Sequence, residues 1–179
     1  MNKPPAFATV DPVKGMNNNS PARCQNLVSG EWRNNESEYV KIPDPLTGED
    51  FLLVPNTSDT SEFIKNLSNC PKSGLHNPIK NVERYVMLGD VCAKSAELMR
   101  DPEIELFFAK LIQRVMPKSI NQCIGEVRVT RVFLENFAGD GVRFLARGFS
   151  NPGDHDGQES NGYRWPFGSV VLIAPFNFP

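Results

Sequence analysis

The feature that most constrains the fold is a continuous apolar run, Val170–Ala174, in a chain of 179 residues. A strand with one exposed face alternates apolar and polar residues, whereas a strand buried on both faces of a parallel sheet is apolar throughout. Such a strand requires parallel neighbours, and no second run of this kind occurs in the sequence. The pattern therefore predicts an incomplete α/β fold that holds the first strand of a doubly wound sheet without its neighbours.

The distribution of prolines separates a turn-rich first part from a helical middle. Nine of the 15 prolines fall in the first 80 residues, and none lies between Lys118 and Asn151. We expect Met1–Ala22 to be a disordered or loosely draped arm. Residues 23–179 are then the N-terminal part of one domain, truncated after its first buried parallel strand.

Short strand signals after the arm predict a small antiparallel region. The predicted strands are Gln25–Val28, Glu31–Trp32, Tyr39–Ile42 and Phe51–Val54. The turn residues Ser29-Gly30 join the first pair, and a turn at Asp44–Gly48 joins the second. A helix is predicted to open at Asp59, with Glu62 completing a capping box.

Apolar residues at helical spacing predict three long amphipathic helices in the middle of the chain. The first covers Val82–Met99. The second is capped by Asp101, with Pro102 at its first position, and Pro117 ends it. Ser119 caps the third, which extends to Leu145 with an interruption at Gly139–Gly141.

Charge and cysteine usage exclude several functional classes. Lys and Arg total 19 against 21 for Asp and Glu, so the chain has no basic surplus for nucleic acid or an anionic membrane. Its four cysteines form no C-x-x-C pair, and Asp154-His155-Asp156 stands isolated in a polar loop, Asn151–Asn161, so we predict no metal site. The first 20 residues lack the apolar core of a signal peptide and the arginines of a transit peptide.

Motifs at the end of the sequence resemble those of the aldehyde dehydrogenase superfamily. They are Pro166-Phe167-Gly168 and Ile173-Ala174-Pro175-Phe176-Asn177-Phe178-Pro179. The segments Leu27–Trp32 and Asp44–Glu49 resemble that superfamily's early hairpin and its following turn. Longer blocks are similar to the plant-type delta-1-pyrroline-5-carboxylate dehydrogenases: Cys70–Pro78, Phe107–Val115, Phe133–Phe137 and Val142–Arg147.

This resemblance implies an NAD-dependent oxidation of L-glutamate gamma-semialdehyde to L-glutamate, in proline catabolism. It also implies that the cysteine nucleophile, the glutamate base and most of the dinucleotide site follow Pro179, so we expect this chain alone to be inactive. Asn177 matches the family's oxyanion-hole asparagine. Ala174, Pro175 and Phe176 match positions whose backbone lines the nicotinamide ribose and the mouth of the substrate tunnel.

Other interpretations stay open beside these. Asn177 taken alone is a turn residue, and Cys92 and Cys123 are most simply core residues. Tyr163–Phe167 resembles an oligomerisation strand, which favours a homo-oligomer or, alternatively, a non-catalytic module that associates with full-length subunits. The resemblance implies the mitochondrial matrix, with the cytoplasm as the alternative. In the isolated chain, we expect the residues from Val170 to Phe176 to be exposed.

Overall fold

The structure is a computed structural model that describes residues 10–33, 38–69, 82–164, 167 and 169–179, with the backbone alone for residues 82–85 and 146. The described residues fall into two compact units. Among the described residues, unit 1 draws on 10–33, 38–69, 101–128 and 172–179, and unit 2 draws on 82–100, 129–164, 167 and 169–171. In chain order the elements are β1 (Ala22–Arg23), β2 (Asn26–Val28), β3 (Glu31–Arg33), β4 (Tyr39–Pro43), β5 (Asp50–Pro55), α1 (Ser61–Ser68), α2 (Val82–Leu98), α3 (Pro102–Val115), α4 (Ile120–Asn136), α5 (Asp140–Ala146), β6 (Phe149–Pro152) and β7 (Glu159–Gly162).

Unit 1 contains a three-stranded sheet in the order β1-β5-β4. Strands β4 and β5 are antiparallel, which confirms the predicted pair. The turn between them includes Gly48 at a φ of 76°, a backbone conformation that favours glycine. The edge strand β1 runs parallel to β5, with Ala22 opposite Leu52, and the sequence pattern did not predict it.

The predicted hairpin is formed by β2 and β3, which pair antiparallel with Leu27 opposite Trp32. The two residues between the strands, Ser29 and Gly30, have φ angles of 53° and 82°. Two successive positive φ angles are the mark of the tight turns whose twist matches that of the flanking strands. The Ser29-Gly30 pair therefore determines the register of this hairpin.

The core of unit 1 consists of Met16, Ala22 and Phe51, of which Met16 and Phe51 are 1% and 2% exposed. Partly buried side chains pack against it from Val10, Ile42, Leu52, Leu111 and Val115. Met16 belongs to the segment for which the sequence predicts a loose arm. Met16 and Ala22 are packed instead, because burial of a large apolar side chain contributes about 1.5–3 kcal/mol. Residues 1–9 of the predicted arm lie outside the described residues.

Local signals set the first turns of α3 and α4 as predicted. Asp101 Oδ1 accepts a hydrogen bond from Glu103 N at 2.8 Å, and Pro102 occupies the first helical position. Ser119 Oγ accepts from Gln122 N at 3.2 Å, while Ser119 N donates to Gln122 Oε1 at 3.2 Å. This reciprocal pair is a capping box, and each such cap contributes about 1 kcal/mol.

The prediction for the start of α1 is wrong in its details. The residue at the N-cap is Thr60, whose side chain makes no capping hydrogen bond. Asp59 Oδ1 accepts from Ser61 N at 2.8 Å, and Glu62 forms an ion pair with Arg33. Because Glu62 faces this guanidinium, it does not reach back to complete the predicted capping box.

In unit 2, helices α2 and α5 pack together at Gly89. A Cβ atom added there would lie 2.9 Å from Val142 Cγ2 and 3.5 Å from Phe137 O, so glycine permits the close approach. Helices α4 and α5 are separated at Gly139, which has a φ of 53°. This break confirms the predicted interruption at Gly139–Gly141.

The sequence prediction of a polar loop over Asn151–Asn161 is wrong in part. Strands β6 and β7 pair antiparallel, from Phe149 opposite Gly162 to Pro152 opposite Glu159. Nearly every residue of the two strands is exposed. Since no face of this hairpin is buried, its sequence carries no apolar alternation by which the strands could be predicted.

The apolar run does not form the predicted buried strand. Residues 170–174 have no strand structure, and the side chains of Val171 and Ile173 are 84% and 87% exposed. Among the described residues no strand pairs with this run, so its backbone groups have no ladder to join. The expectation that the stretch from Val170 to Phe176 is exposed is confirmed.

The close approach at Gly89 generates a stability prediction. Gly89→Ala and Gly125→Ala both gain about 1 kcal/mol of helix propensity, but an added Cβ at Gly125 meets no atom within 4 Å. At Gly89 it must displace Val142, which is 8% exposed. We expect Gly89→Ala to be less stable than Gly125→Ala by about 1–3 kcal/mol in urea unfolding followed by circular dichroism. Equal stabilities would contradict the close packing of α2 on α5.

Candidate functional site

The residues that the sequence singles out lie together in one segment of unit 1, residues 172–179. Ala174, Pro175 and Phe176 follow one another in an exposed stretch, and Phe176-Asn177 forms a turn. Asn177 is exposed. The structure therefore brings these four residues into one exposed segment, and the role of Asn177 as an oxyanion donor stays a prediction.

Lys118 ties this segment to the link between α3 and α4. Its Nζ atom donates to the main-chain oxygen of Asn177 at 2.9 Å and to Glu126 Oε2 at 2.6 Å. The same Nζ lies 4.9 Å from the centre of the Phe178 ring, within the range of a cation–π contact. We name Lys118, Glu126 and the main chain at Asn177 the lysine anchor.

The lysine anchor is partly buried, since the side chains of Lys118 and Glu126 are 13% and 12% exposed. Hydrogen bonds between charged groups are shorter and about twice as strong as neutral ones, and low exposure limits screening by salt. Removing one partner of such a pair is costly because the other charge stays desolvated. The sequence pattern does not indicate this pair, because its members are eight residues apart across a helix start.

A second cation, Arg114, lies in the last turn of α3. Its guanidinium Nη2 lies 2.7 Å from Asp44 Oδ2 and donates to the main-chain oxygen of Met16 at 2.6 Å. The guanidinium carbon lies 4.6 Å from the centre of the Phe51 ring. The hydrogen bond from Arg114 is the chief cause that lowers the pKa of the Asp44 carboxyl to about 2.

An open cleft of about 400 Å³ lies beside these two cations in unit 1. Its lining includes Lys110, Arg114 and Lys118, together with apolar side chains and one glutamine. The lining residues include neither a carboxylate nor a thiol. The cleft therefore offers neither a carboxylate nor a thiolate for acid–base or covalent chemistry.

Two of the described cysteines, Cys24 and Cys123, do not have the surroundings of a reactive thiol. Cys123 is fully buried, which confirms its expected place in the core, and burial raises the pKa of its thiol. Burial also raises the pKa of the Cys24 thiol. A raised pKa disfavours the thiolate, which is the nucleophilic form. Cys70 lies outside the described residues.

A metal site needs clustered ligands, and a membrane span needs a long apolar helix. Within the described ranges, no three His, Cys, Asp or Glu side chains lie close enough to hold a metal ion. The sequence Asp154-His155-Asp156 lies in the exposed turn between β6 and β7. The helices described for this chain include none long and apolar enough to cross a bilayer.

The residues expected to face NAD do not form a cofactor site by themselves. A dinucleotide is bound at the carboxyl ends of parallel strands, beside a helix N-terminus. Ala174–Phe176 follow a stretch with no strand structure, and all three residues are exposed. Their contact with a nicotinamide ribose stays a prediction.

Comparison with known proteins gives close relatives of greater length. The chain is 51% identical over 175 residues to a probable aldehyde dehydrogenase of Linum usitatissimum. It is 52% identical over 175 residues to a mitochondrial delta-1-pyrroline-5-carboxylate dehydrogenase 12A1 of Arabidopsis thaliana. Each match covers 97% of this chain and 31% of the relative, so the chain spans less than a third of the length of these relatives. No family model matches the sequence.

Solved structures share the fold at lower identity. A 3,6-anhydro-L-galactose dehydrogenase in complex with NAP superposes with a TM-score of 0.59 and 21% identity, covering 76% of this chain and 27% of that chain. An aldehyde dehydrogenase from Brucella melitensis gives 0.54 and 19%, with the same coverage. The match falls in the N-terminal part of these structures, which confirms the predicted incomplete α/β fold.

The Arg114–Asp44 contact generates a prediction for pH dependence. Because the folded-state pKa of Asp44 is below its unfolded value, the carboxylate stabilises the folded chain above about pH 4. This contribution is lost as the pH falls toward about 2. We expect Asp44→Asn to lower the free energy of urea unfolding most at neutral pH, with a deficit that shrinks below about pH 4.

Asp50→Asn is the matched control, because the ion pair of Asp50 with Lys41 is exposed. Exposed pairs contribute about 0–1 kcal/mol, so the control should differ little from the parent across the pH range. A deficit of Asp44→Asn that stays constant from pH 7 to pH 3 would contradict the assignment.

Proposed function

Because this chain belongs to the aldehyde dehydrogenase superfamily, we propose that it is the N-terminal part of an NAD-dependent enzyme that oxidises L-glutamate gamma-semialdehyde to L-glutamate. The observation that carries the proposal is the 52% identity to the Arabidopsis dehydrogenase over 97% of this chain. The mitochondrial matrix is the proposed compartment, since the name of that relative includes a mitochondrial location. The partners we propose are the aldehyde substrate and NAD.

In this proposal, Asn177 contributes to the oxyanion hole. Attack on an aldehyde carbon turns its carbonyl oxygen into an oxyanion, which amide N–H groups stabilise in a site that excludes water. The exposed position of Asn177 at a turn is compatible with a donor that becomes enclosed when the rest of a catalytic domain is present. Ala174, Pro175 and Phe176 would then contribute backbone to the nicotinamide side of that site.

We expect the 179-residue chain to be inactive by itself. Burial raises the pKa of the Cys24 and Cys123 thiols, and Ala174–Phe176 are exposed and follow a stretch with no strand structure. A catalytic unit that loses its nucleophile keeps little beyond binding effects. The test is to mix the purified chain with NAD and glutamate semialdehyde and follow NADH absorbance, where steady NADH formation would contradict the expected inactivity.

The role of Asn177 is tested in a chimera that joins all 179 residues of this chain to the part of the Arabidopsis dehydrogenase that follows its matched segment. Asn177→Ala removes one oxyanion donor, so we expect kcat to fall by about 100- to 1000-fold with a smaller change in KM. Asn161→Ala, an exposed asparagine of β7, is the matched control and should leave kcat unchanged. Retention of full kcat by Asn177→Ala would exclude the proposed role.

The second candidate function is a non-catalytic module that associates with full-length subunits. The observation that favours it is the exposure of Phe167, at 102%, and of the apolar run that follows. The expected pairing strand, Tyr163–Phe167, includes Trp165 and Pro166, which lie outside the described residues. Co-purification with a full-length dehydrogenase in fixed stoichiometry would support this function, and recovery of the chain only in aggregates would count against it.

A further inference from the structure

We propose that Lys118 is a positioning residue that holds the main chain at Asn177 and thereby sets the direction of the Asn177 side-chain amide. The catalytic consequence rests on the proposed function. The mechanical part, a lysine that fixes an otherwise irregular turn, stands on the contacts within unit 1. Lys118 itself contacts neither substrate nor cofactor in this proposal.

The first step is the geometry of the lysine anchor. The Nζ atom of Lys118 donates two hydrogen bonds, to Asn177 O at 2.9 Å and to Glu126 Oε2 at 2.6 Å. The same atom lies beside the ring of Phe178. Two of these contacts hold the C-terminal end of the turn, since one is made to Asn177 and the other to Phe178. A turn held at one end has fewer backbone conformations to adopt.

The second step is that Lys118 is itself held in place. Pro117 ends α3, and Ser119 begins the capping box of α4, so Lys118 lies in a short link with a defined backbone on both sides. Gln113 Nε2 donates to the main-chain oxygen of Lys118 at 2.9 Å. Lys118 therefore connects the end of α3 and the start of α4 to residues 172–179.

The third step is the role of Glu126. A lysine side chain is flexible and strongly hydrated when free, so a lone contact to a carbonyl oxygen would be weak. Glu126 accepts from Lys118 in surroundings where both side chains are nearly nine-tenths buried, and this contact fixes the Nζ atom. The carboxylate orients the cation, and the oriented cation holds the carbonyl oxygen of Asn177.

The mechanical part is tested on the full 179-residue chain by backbone ¹⁵N relaxation. In the parent we expect order parameters of about 0.85 at Phe176, Asn177 and Phe178, the value of a rigid backbone. In Lys118→Met, which keeps the length of the side chain and removes the charge, they should fall below about 0.6. Lys110→Met, at an exposed lysine of α3, is the matched control and should match the parent.

Glu126→Gln provides a second variant, because it keeps the volume of the side chain and weakens only the orientation of the cation. We expect order parameters between those of the parent and of Lys118→Met. Unchanged order parameters at Asn177 in both variants would overturn the proposal. Spectra of β4 and β5 report whether each variant is folded, so that a general loss of structure is separated from local loosening.

The catalytic part is tested in the chimera described above. Lys118→Met should lower kcat by up to about 100-fold, as a small misplacement of a catalytic donor does, with KM less affected. Lys118→Arg keeps the charge and should restore part of kcat, and Lys110→Met should keep all of it. Loosened order parameters with an unchanged kcat would overturn the positioning role. An inactive parent chimera would refute the proposed function, while the relaxation data would still decide whether the anchor exists.

Discussion

The guanidinium of Arg114 is the contact on which the assembly of unit 1 depends. It joins three stretches that are distant in sequence, because it binds the Asp44 carboxylate, the main-chain oxygen of Met16 and the face of the Phe51 ring. A buried ion pair adds little net stability compared with apolar packing, but removing one partner leaves the other charge buried and unpaired. We therefore infer that Arg114 chiefly fixes the position of Met16 relative to β5, because it contacts both Met16 and Phe51.

The same device occurs twice at the end of α3. Arg114 and Lys118 each bind one carboxylate and one main-chain oxygen, and in both cases that oxygen belongs to a segment outside any helix or sheet strand. Backbone oxygens in irregular segments lack ladder partners and must find donors elsewhere. A cation oriented by a carboxylate supplies such a donor. One helix end thus holds two irregular segments, residues 10–22 and residues 172–179.

The parts of the fold that could be predicted from the sequence are those whose partners are close in the chain. The Asp101 cap, the Ser119 capping box and the Ser29-Gly30 turn each involve residues at most three apart, so a local motif specifies them. The burial of Met16 could not be predicted in this way. Its partner Phe51 is distant in sequence, and an apolar residue in a polar stretch carries no periodic signal.

The apolar run shows the limit of inference from sequence composition, and Asn177 shows the limit of inference from motif resemblance. The run Val170–Ala174 has the composition of a doubly buried strand, yet burial is a property of neighbours, and the described chain places none beside it. The motif around Asn177 identified a residue and a role by resemblance, but a motif carries no information about what orients that residue. The structure supplies this information, because the hydrogen bond from Lys118 Nζ to the Asn177 carbonyl oxygen holds an exposed turn in place. Resemblance is therefore the basis of the proposed role of Asn177, and the contact of Lys118, between α3 and α4, is the basis of its proposed orientation.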